Sequence, residues 1–134
     1  MHKDVIVVGA GISGIAAGYN LKKSCPNKSF TILEARDNIG GTWDLFKYPG
    51  IRSDSDMHTL GFRFKPWIHD KSIADGPSIL EYLKETIAEN NLMKDIHLNH
   101  KVSSANWNST KLLWELEICE GPLNKKMKIG RAHV

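Results

Sequence analysis

Asp4-Val5-Ile6-Val7-Val8-Gly9-Ala10-Gly11-Ile12-Ser13-Gly14, with Glu34 following twenty residues after the last glycine, is the stretch whose reading decides the fold. The apolar run Val5–Val8 is far too short for a membrane span and reads as a buried parallel strand. Gly9 lets the chain turn tightly off that strand, Gly11 has no Cβ to block a pyrophosphate, and Gly14 lets the next helix pack close to the sheet. The helix N-terminus adds free N–H groups and a partial positive charge. Glu34 ends the next apolar run, Phe30-Thr31-Ile32-Leu33, where its carboxylate can accept hydrogen bonds from ribose hydroxyls. Glycine-rich turns alone arise by chance. Strand, glycines, helix and a correctly placed acid together specify a dinucleotide-binding βαβ unit.

At 134 residues the chain has room for one domain with a core, and its 41% hydrophobic and 25% charged content is that of an ordinary globular protein. The net charge of +3 is spread along the chain with no basic block, so no nucleic-acid partner is expected. Lys125, Lys126 and Lys128 are expected to decorate a solvent-exposed strand end. Cys25 and Cys119 form no CxxC, which excludes a redox dithiol or zinc site of that kind and fits two free thiols in a reducing, cytoplasmic setting. No signal peptide or strong membrane signal is visible. Six scattered histidines lack metal-ligand spacing, so no metal is expected. His97 and His100 bracket an alternation read as one strand, which places them on opposite faces.

Along the chain, the pattern predicts a strand at 4–8, a helix at 13–23 and a strand at 30–34, joined by a right-handed crossover. Ile12, Ile15, Ala16, Tyr19 and Leu21 are the candidates for the inner face of the helix, and Gly18 repeats a small residue one turn after Gly14. From Ala35 to Lys71, glycine, proline, aspartate and aromatics alternate without period, which predicts a long ordered loop of the kind that is usually functional. Residues 77–90 predict an amphipathic helix with Pro77 in its first turn and a stripe of Ile79, Leu80, Leu83, Ile87 and Ala88. The remainder reads as β: 96–98, 100–107 and 112–119, the last two flanking a hairpin turn at Asn108-Ser109-Thr110-Lys111.

The βαβ unit alone does not choose between nicotinamide and flavin dinucleotides. The segment after the second strand does: Glu34-Ala35-Arg36, Gly40-Gly41-Thr42-Trp43, then Tyr48-Pro49-Gly50-Ile51-Arg52-Ser53-Asp54. Adjacent glycines let backbone lie against a cofactor, while Thr42 and Trp43 offer a hydroxyl and a flat face beside a ring system. The run from Gly40 to Trp67 resembles the class B flavoprotein monooxygenases, which include the Baeyer–Villiger and flavin-containing monooxygenases. Within them, the stretch from Gly40 through Asp56 to Met57 is most similar to the bacterial branch that includes the ethionamide-activating monooxygenase. The resemblance covers residues 4 to about 120.

The resemblance implies an α/β fold: a Rossmann-type FAD-binding domain with an added β-meander or hairpin, truncated at its C-terminal side to about a quarter of the family's length. It implies FAD in this domain and NADPH in a second. Reduced flavin reacts with O₂ to a C4a-(hydro)peroxyflavin, which oxygenates a ketone, sulfide or amine as the small-molecule substrate. Carried over by position, Gly9, Gly11 and Gly14, with Ser13 beside them, bind the FAD pyrophosphate and Glu34 the adenosine ribose. Gly41, Thr42, Trp43, Asp44 and Leu45 line the flavin, and the backbone of Val102 meets the adenine. Arg52, Ser53 and Asp54 contact NADP and the reaction centre. Asp54, as the catalytic candidate, helps to hold an arginine that stabilises the anionic flavin intermediate. That arginine, a second GxGxxG and the Baeyer–Villiger fingerprint Phe-x-Gly-x-x-x-His-x-x-x-Trp-Pro are not in these 134 residues, so oxygenation by this chain alone is not expected.

Other accounts stand beside these. Trp43 can fill the core under its loop, Asp54 and Asp56 suit Asx-turns, Arg52 can be a solvated charge, and Trp67, Trp107 and Trp114 read as core or hairpin residues. A non-catalytic nucleotide-binding module, or part of another two-dinucleotide flavoprotein, is the alternative function. The missing CxxxxC after the second strand argues against a disulfide reductase, and Tyr48-Pro49-Gly50 with Arg52 and Asp54 against an amine oxidase. Residues 1–128 are assigned to the domain. Ile129-Gly130-Arg131-Ala132-His133-Val134 does not read as a continuation of the β pattern. ATC GGA AGA GCA CAC GTC encodes that order and resembles a common sequencing adapter, so 129–134 is expected to be translated adapter.

Overall fold

Alternation along two short strands sets up a three-layer arrangement. A computed structural model describes residues 2–121 and the backbone of 125–130. Strand β1 (Val5–Val8) pairs in parallel with β2 (Phe30–Leu33), and β2 pairs in parallel with β3 (Ile96–His97). The order β1-β2-β3 leaves β1 at an edge of this sheet. Successive side chains point to opposite faces. Val7 and Ile32 meet one core, together with Ile15 of helix α1 (Ile12–Ser24) and Ile79, Leu83 and Ile87 of helix α4 (Gly76–Glu89). Ile6 and Leu33 meet a second core, with Leu116, Ile118, Val102 and Trp114 of an antiparallel meander. That meander, β4 (His100–Asn108), β5 (Leu113–Glu120) and β6 (Lys125–Gly130), is the layer added to the βαβ unit.

The expected βαβ unit is present, with its ends shifted by a residue. Gly14, Ile15 and Gly18 are the buried residues of α1, with Ile12, Ala16 and Tyr19 packed alongside. Leu21 does not join this core: it is half-buried, six residues from Ile15 and therefore well round the helix from the sheet-facing line. Gly18 lets the helix approach the sheet closely: a Cβ there would stand 2.7 Å from Ile32 Cδ1, and that methyl would have to move.

The 35–71 segment is not wholly irregular. It contains the one-turn helices α2 (Thr42–Leu45) and α3 (Met57–Leu60), and Arg52 bridges Asp75 through backbone. Asp56 caps α3, accepting from Thr59 N at 3.0 Å, so the Asx-turn account fits Asp56. Hydrogen bonding to Thr59 holds its carboxyl below the usual range.

Helix α4 is capped by Asp75, which accepts from Ser78 N at 2.8 Å, and Pro77 sits in its first turn as read. Its buried stripe is Ile79, Tyr82, Leu83, Thr86 and Ile87, whereas Ala88 is exposed, one position too far round. Tyr82 Oη donates to the carbonyl of Lys65 and accepts from Phe62 N, tying the loop to the helix.

His97 and His100 are not on opposite faces of one strand. Asn99, at φ 57°, reverses the chain between β3 and β4 and brings the two rings to 5.4 Å. Burial first, then the positive charges of His100 and Lys3, lowers the His97 pKa. In the hairpin, Asn108 Oδ1 accepts from Thr110 N and Lys111 N, and Trp107 packs across the strands against Trp114. Trp67 is core.

Ile129 and Gly130 continue β6, opposite Leu116 and Glu115, against the reading that the β pattern stops before them. The lysines at 125, 126 and 128 lie in that strand, and the exposure expected for them lies outside the described residues, as do residues 131–134.

Candidate functional site

The open end of α1 and the loop before α2 face each other across a cleft of about 310 Å³. Gly9, Gly11, Ser13 and Gly14 line one wall, and Gly40, Gly41, Thr42 and Trp43 the other. Gly9 lies at φ 100° and Gly41 at φ 55°, conformations that admit glycine readily and larger residues with strain. A Cβ on Gly14 would run into the Gly9 carbonyl oxygen, and one on Gly41 would stand 3.1 Å from Gly11 Cα. The glycines therefore bring backbone where side chains would fill the space.

Gly11 caps α1 without a side-chain hydrogen bond, and the first turn carries no acid. The N–H groups of the first turn have no intrahelical acceptor, so the helix presents donors and positive potential to an anion.

Glu34, 8% exposed, underlies this wall. Its Oε2 accepts from Ala10 N at 2.8 Å and its Oε1 from Arg36 N at 3.1 Å. Its backbone is held as well: Glu34 N donates to His97 O and Glu34 O accepts from His100 N. Each carboxylate oxygen keeps capacity for a second hydrogen bond.

Of the residues read from sequence, Gly9, Gly11, Ser13, Gly14, Gly41, Thr42 and Trp43 meet in this cleft. Trp43 also packs against the core and borders a second, more apolar cavity of about 600 Å³ with Phe46, Tyr48, Ile51 and Leu80. Both accounts of Trp43 therefore have geometry behind them.

Leu45 is exposed on α2. The side chain of Asp44 is 7% exposed and lies 2.8 Å from Arg36 Nη2, an ion pair whose angle falls short of a hydrogen bond. Arg52, Ser53, Asp54 and Val102 do not line the cleft. Ser53 is buried and its hydroxyl accepts from Ala74 N, while Arg52 and Asp54 are exposed. Val102 packs beside Ile6 and Leu33.

Sequence reasoning quoted Arg36 and Gly40 in the deciding segment but left both out of the site residues, and it did not pair Arg36 with Asp44. The pairing signal was the 36–44 spacing across a glycine turn, which becomes legible only once that turn is seen to fold back. Among the described residues no group of three or more His, Cys, Asp or Glu is placed to hold a metal, and no helix is long and apolar enough to cross a membrane.

A strand, a glycine turn, an open helix end and an acid closing the second strand define a Rossmann-type dinucleotide-binding domain. The NAD(P)-binding Rossmann-like domain family matches residues 7–71. The FAD-containing monooxygenase EthA of Mycolicibacterium smegmatis is 60% identical over 117 residues, 87% of this chain and 24% of that protein. A probable FAD-binding monooxygenase, AlmA of an Acinetobacter species, is 54% identical over 130 residues, 97% of this chain and 26% of its own length. In structure, an oxidized steroid monooxygenase bound to NADP superposes with a TM-score of 0.84 at 28% identity, over 96% of this chain and 25% of that one. The chain is similar to FAD-containing monooxygenases and spans about a quarter of the length of the relatives it matches.

Proposed function

We propose that this chain forms the FAD cradle of an NADPH- and O₂-dependent monooxygenase. The observation that carries the reading is the Gly11–Gly41 cleft at the open N-terminus of α1, a cradle that a Cβ on Gly14 or Gly41 would disrupt. The first turn of α1 carries no acid, and Arg36 is neutralised by Asp44, so the donors the cleft offers are backbone N–H groups. An anionic diphosphate fits this donor set.

Gly9, Gly11, Ser13 and Gly14 hold the diphosphate through backbone, and Glu34 takes a ribose hydroxyl on its remaining lone pairs. Gly41, Thr42, Trp43 and Leu45 border the flavin, Asp44 belongs to the same segment, and Val102 lies toward the adenine. Arg52, Ser53 and Asp54 face NADP and the reaction centre. Ser53 N donates to Ala74 O and its hydroxyl accepts from Ala74 N, which leaves the hydroxyl proton for a further contact. Exposed Asp54 is free to orient an arginine supplied by another part of the enzyme.

When bound, the flavin supplies the redox chemistry: two electrons from NADPH let one atom of O₂ enter a ketone, sulfide or amine while the other leaves as water. The chain's own part is to bind, orient and shield. These 134 residues by themselves are inactive; the whole enzyme works in the cytoplasm on a small organic substrate, with no nucleic-acid partner. Residues 129–134 we assign to translated adapter; recovering the same codons from independently amplified DNA would remove that assignment.

Purified chain titrated with FAD, followed by quenching of flavin fluorescence, tests the cradle. Saturable one-to-one binding that releases FAD on heating supports it. No binding at millimolar FAD refutes it.

A further inference from the structure

Asp44 stands in the segment that walls the cleft, yet it does not line the cleft and its side chain is almost wholly buried. An unpaired carboxylate in that position would be strongly destabilising. Arg36 provides the pairing at 2.8 Å; Lys47, 4.0 Å from Oδ1, has a side chain 71% in solvent and is a weak substitute.

Arg36 is fixed from its own side as well. Its N–H donates to Glu34 Oε1, and its carbonyl accepts from Asn99 N at 2.9 Å. Glu34 Oε2 accepts from Ala10 N, and Ala10 O accepts from Gly40 N at 2.9 Å. The links close a ring: Ala10 to Glu34, Glu34 to Arg36, Arg36 to Asp44, then through α2 and Gly40 back to Ala10. Both walls of the cleft are members of that ring. It holds Gly41 against Gly11 so closely that a Cβ on Gly41 would stand 3.1 Å from Gly11 Cα.

We propose that the Arg36–Asp44 ion pair is a positioning device that sets the width of the cleft, and through it the affinity for the dinucleotide, without touching the ligand. The inference rests on the reading of the cleft as an FAD cradle. Its direct consequence, that α2 is pinned by Arg36, does not need FAD.

The test uses the 134-residue chain with Arg36→Met, Arg36→Lys and, as control, Lys47→Met. Amide hydrogen exchange reads the pin, because Asp44 N and Leu45 N donate to Gly41 O and Phe46 N to Thr42 O. In Arg36→Met these three amides are expected to exchange at least roughly tenfold faster, with Ile32 and Leu33 unchanged. FAD affinity, measured well below the melting temperature, is expected to fall roughly tenfold, the scale on which outer-shell partners of a bound group act.

Arg36→Lys keeps the charge without the planar fork and should fall between wild type and Arg36→Met; it carries the test if Arg36→Met does not fold. Lys47→Met should match wild type. Unchanged exchange at 44–46 overturns the pin, and faster exchange with unchanged FAD affinity overturns the positioning role. If the wild-type chain binds no FAD, the cofactor reading falls, and the exchange comparison still decides whether Arg36 holds the wall.

Discussion

Replacing Gly11 separates the ligand's requirements from those of the fold. Its backbone lies at φ −83° and ψ −171°, extended and open to any residue. A Cβ there would stand 3.6 Å from Gly41 Cα and 4.0 Å from Gly41 N, ordinary contact distances. Losing glycine at the helix cap costs about 0.5–1 kcal/mol, and the stiffer unfolded chain offsets this by about 0.4–1 kcal/mol. The net change for Gly11→Ala is therefore under about 1 kcal/mol, or a melting shift within about 5 °C. The same atom sits at the floor of the cleft, where backbone must approach the diphosphate. Adding the two methyls of valine there should weaken FAD at least ~100-fold, or about 2.7 kcal/mol. Gly14→Ala is the opposite case: its Cβ would collide with the Gly9 carbonyl, so the fold itself should lose about 3 kcal/mol. Circular-dichroism melts paired with FAD titration distinguish the two. Gly11→Val that binds FAD within roughly threefold of wild type would refute the reasoning.

Asp75→Ala removes the cap of α4 and should destabilise the chain by about 1 kcal/mol, with Asp75→Asn nearly neutral; equal urea midpoints for the two would discard the cap. His97, whose pKa is lowered from its ordinary 6.5, is neutral in the fold and protonates more readily once unfolded. Stability should therefore decline as pH falls below that ordinary value, with the full loss reached below the folded pKa. His97→Asn should flatten the decline in denaturation curves between about pH 7 and pH 5; an unaltered slope would assign it to other groups. Asp54→Ala, at an exposed position, should leave melting within about 0.5 kcal/mol and FAD binding intact. In the whole enzyme it should uncouple NADPH use from product, and preserved coupling would remove Asp54 from the mechanism.

The parts legible in sequence are those where backbone geometry or periodicity forces the residue type. Gly9 announced the cradle through its positive φ and Gly14 through its close approach to the Gly9 carbonyl, with Gly11 between them on the cleft wall, and Ile79, Leu83 and Ile87 announced α4 through their spacing. Tyr82 and Thr86 went unread in the same stripe because their polar atoms disguise them. Tyr82 satisfies its hydroxyl on the 62–65 loop, and Thr86 bonds back to the Tyr82 carbonyl. Helices α2 and α3 are single turns, too short to leave a period, and the left-handed Asn99 defeated the strand reading of His97 and His100. Within the site, composition could name Asp44 and Arg36 but not pair them, since the ion pair exists only after the glycine turn has closed.

The position of β1 at the margin of its sheet bears on how the protein must be handled. Val5–Val8 carries no charge, no proline and no bulge, the devices that ordinarily stop a margin from recruiting a stray chain, and Val8 is 65% exposed. This is an adhesive seam. Light scattering should rise with concentration in the purified chain, and Val8→Lys should suppress the rise. A rise unaffected by Val8→Lys would locate the stickiness elsewhere.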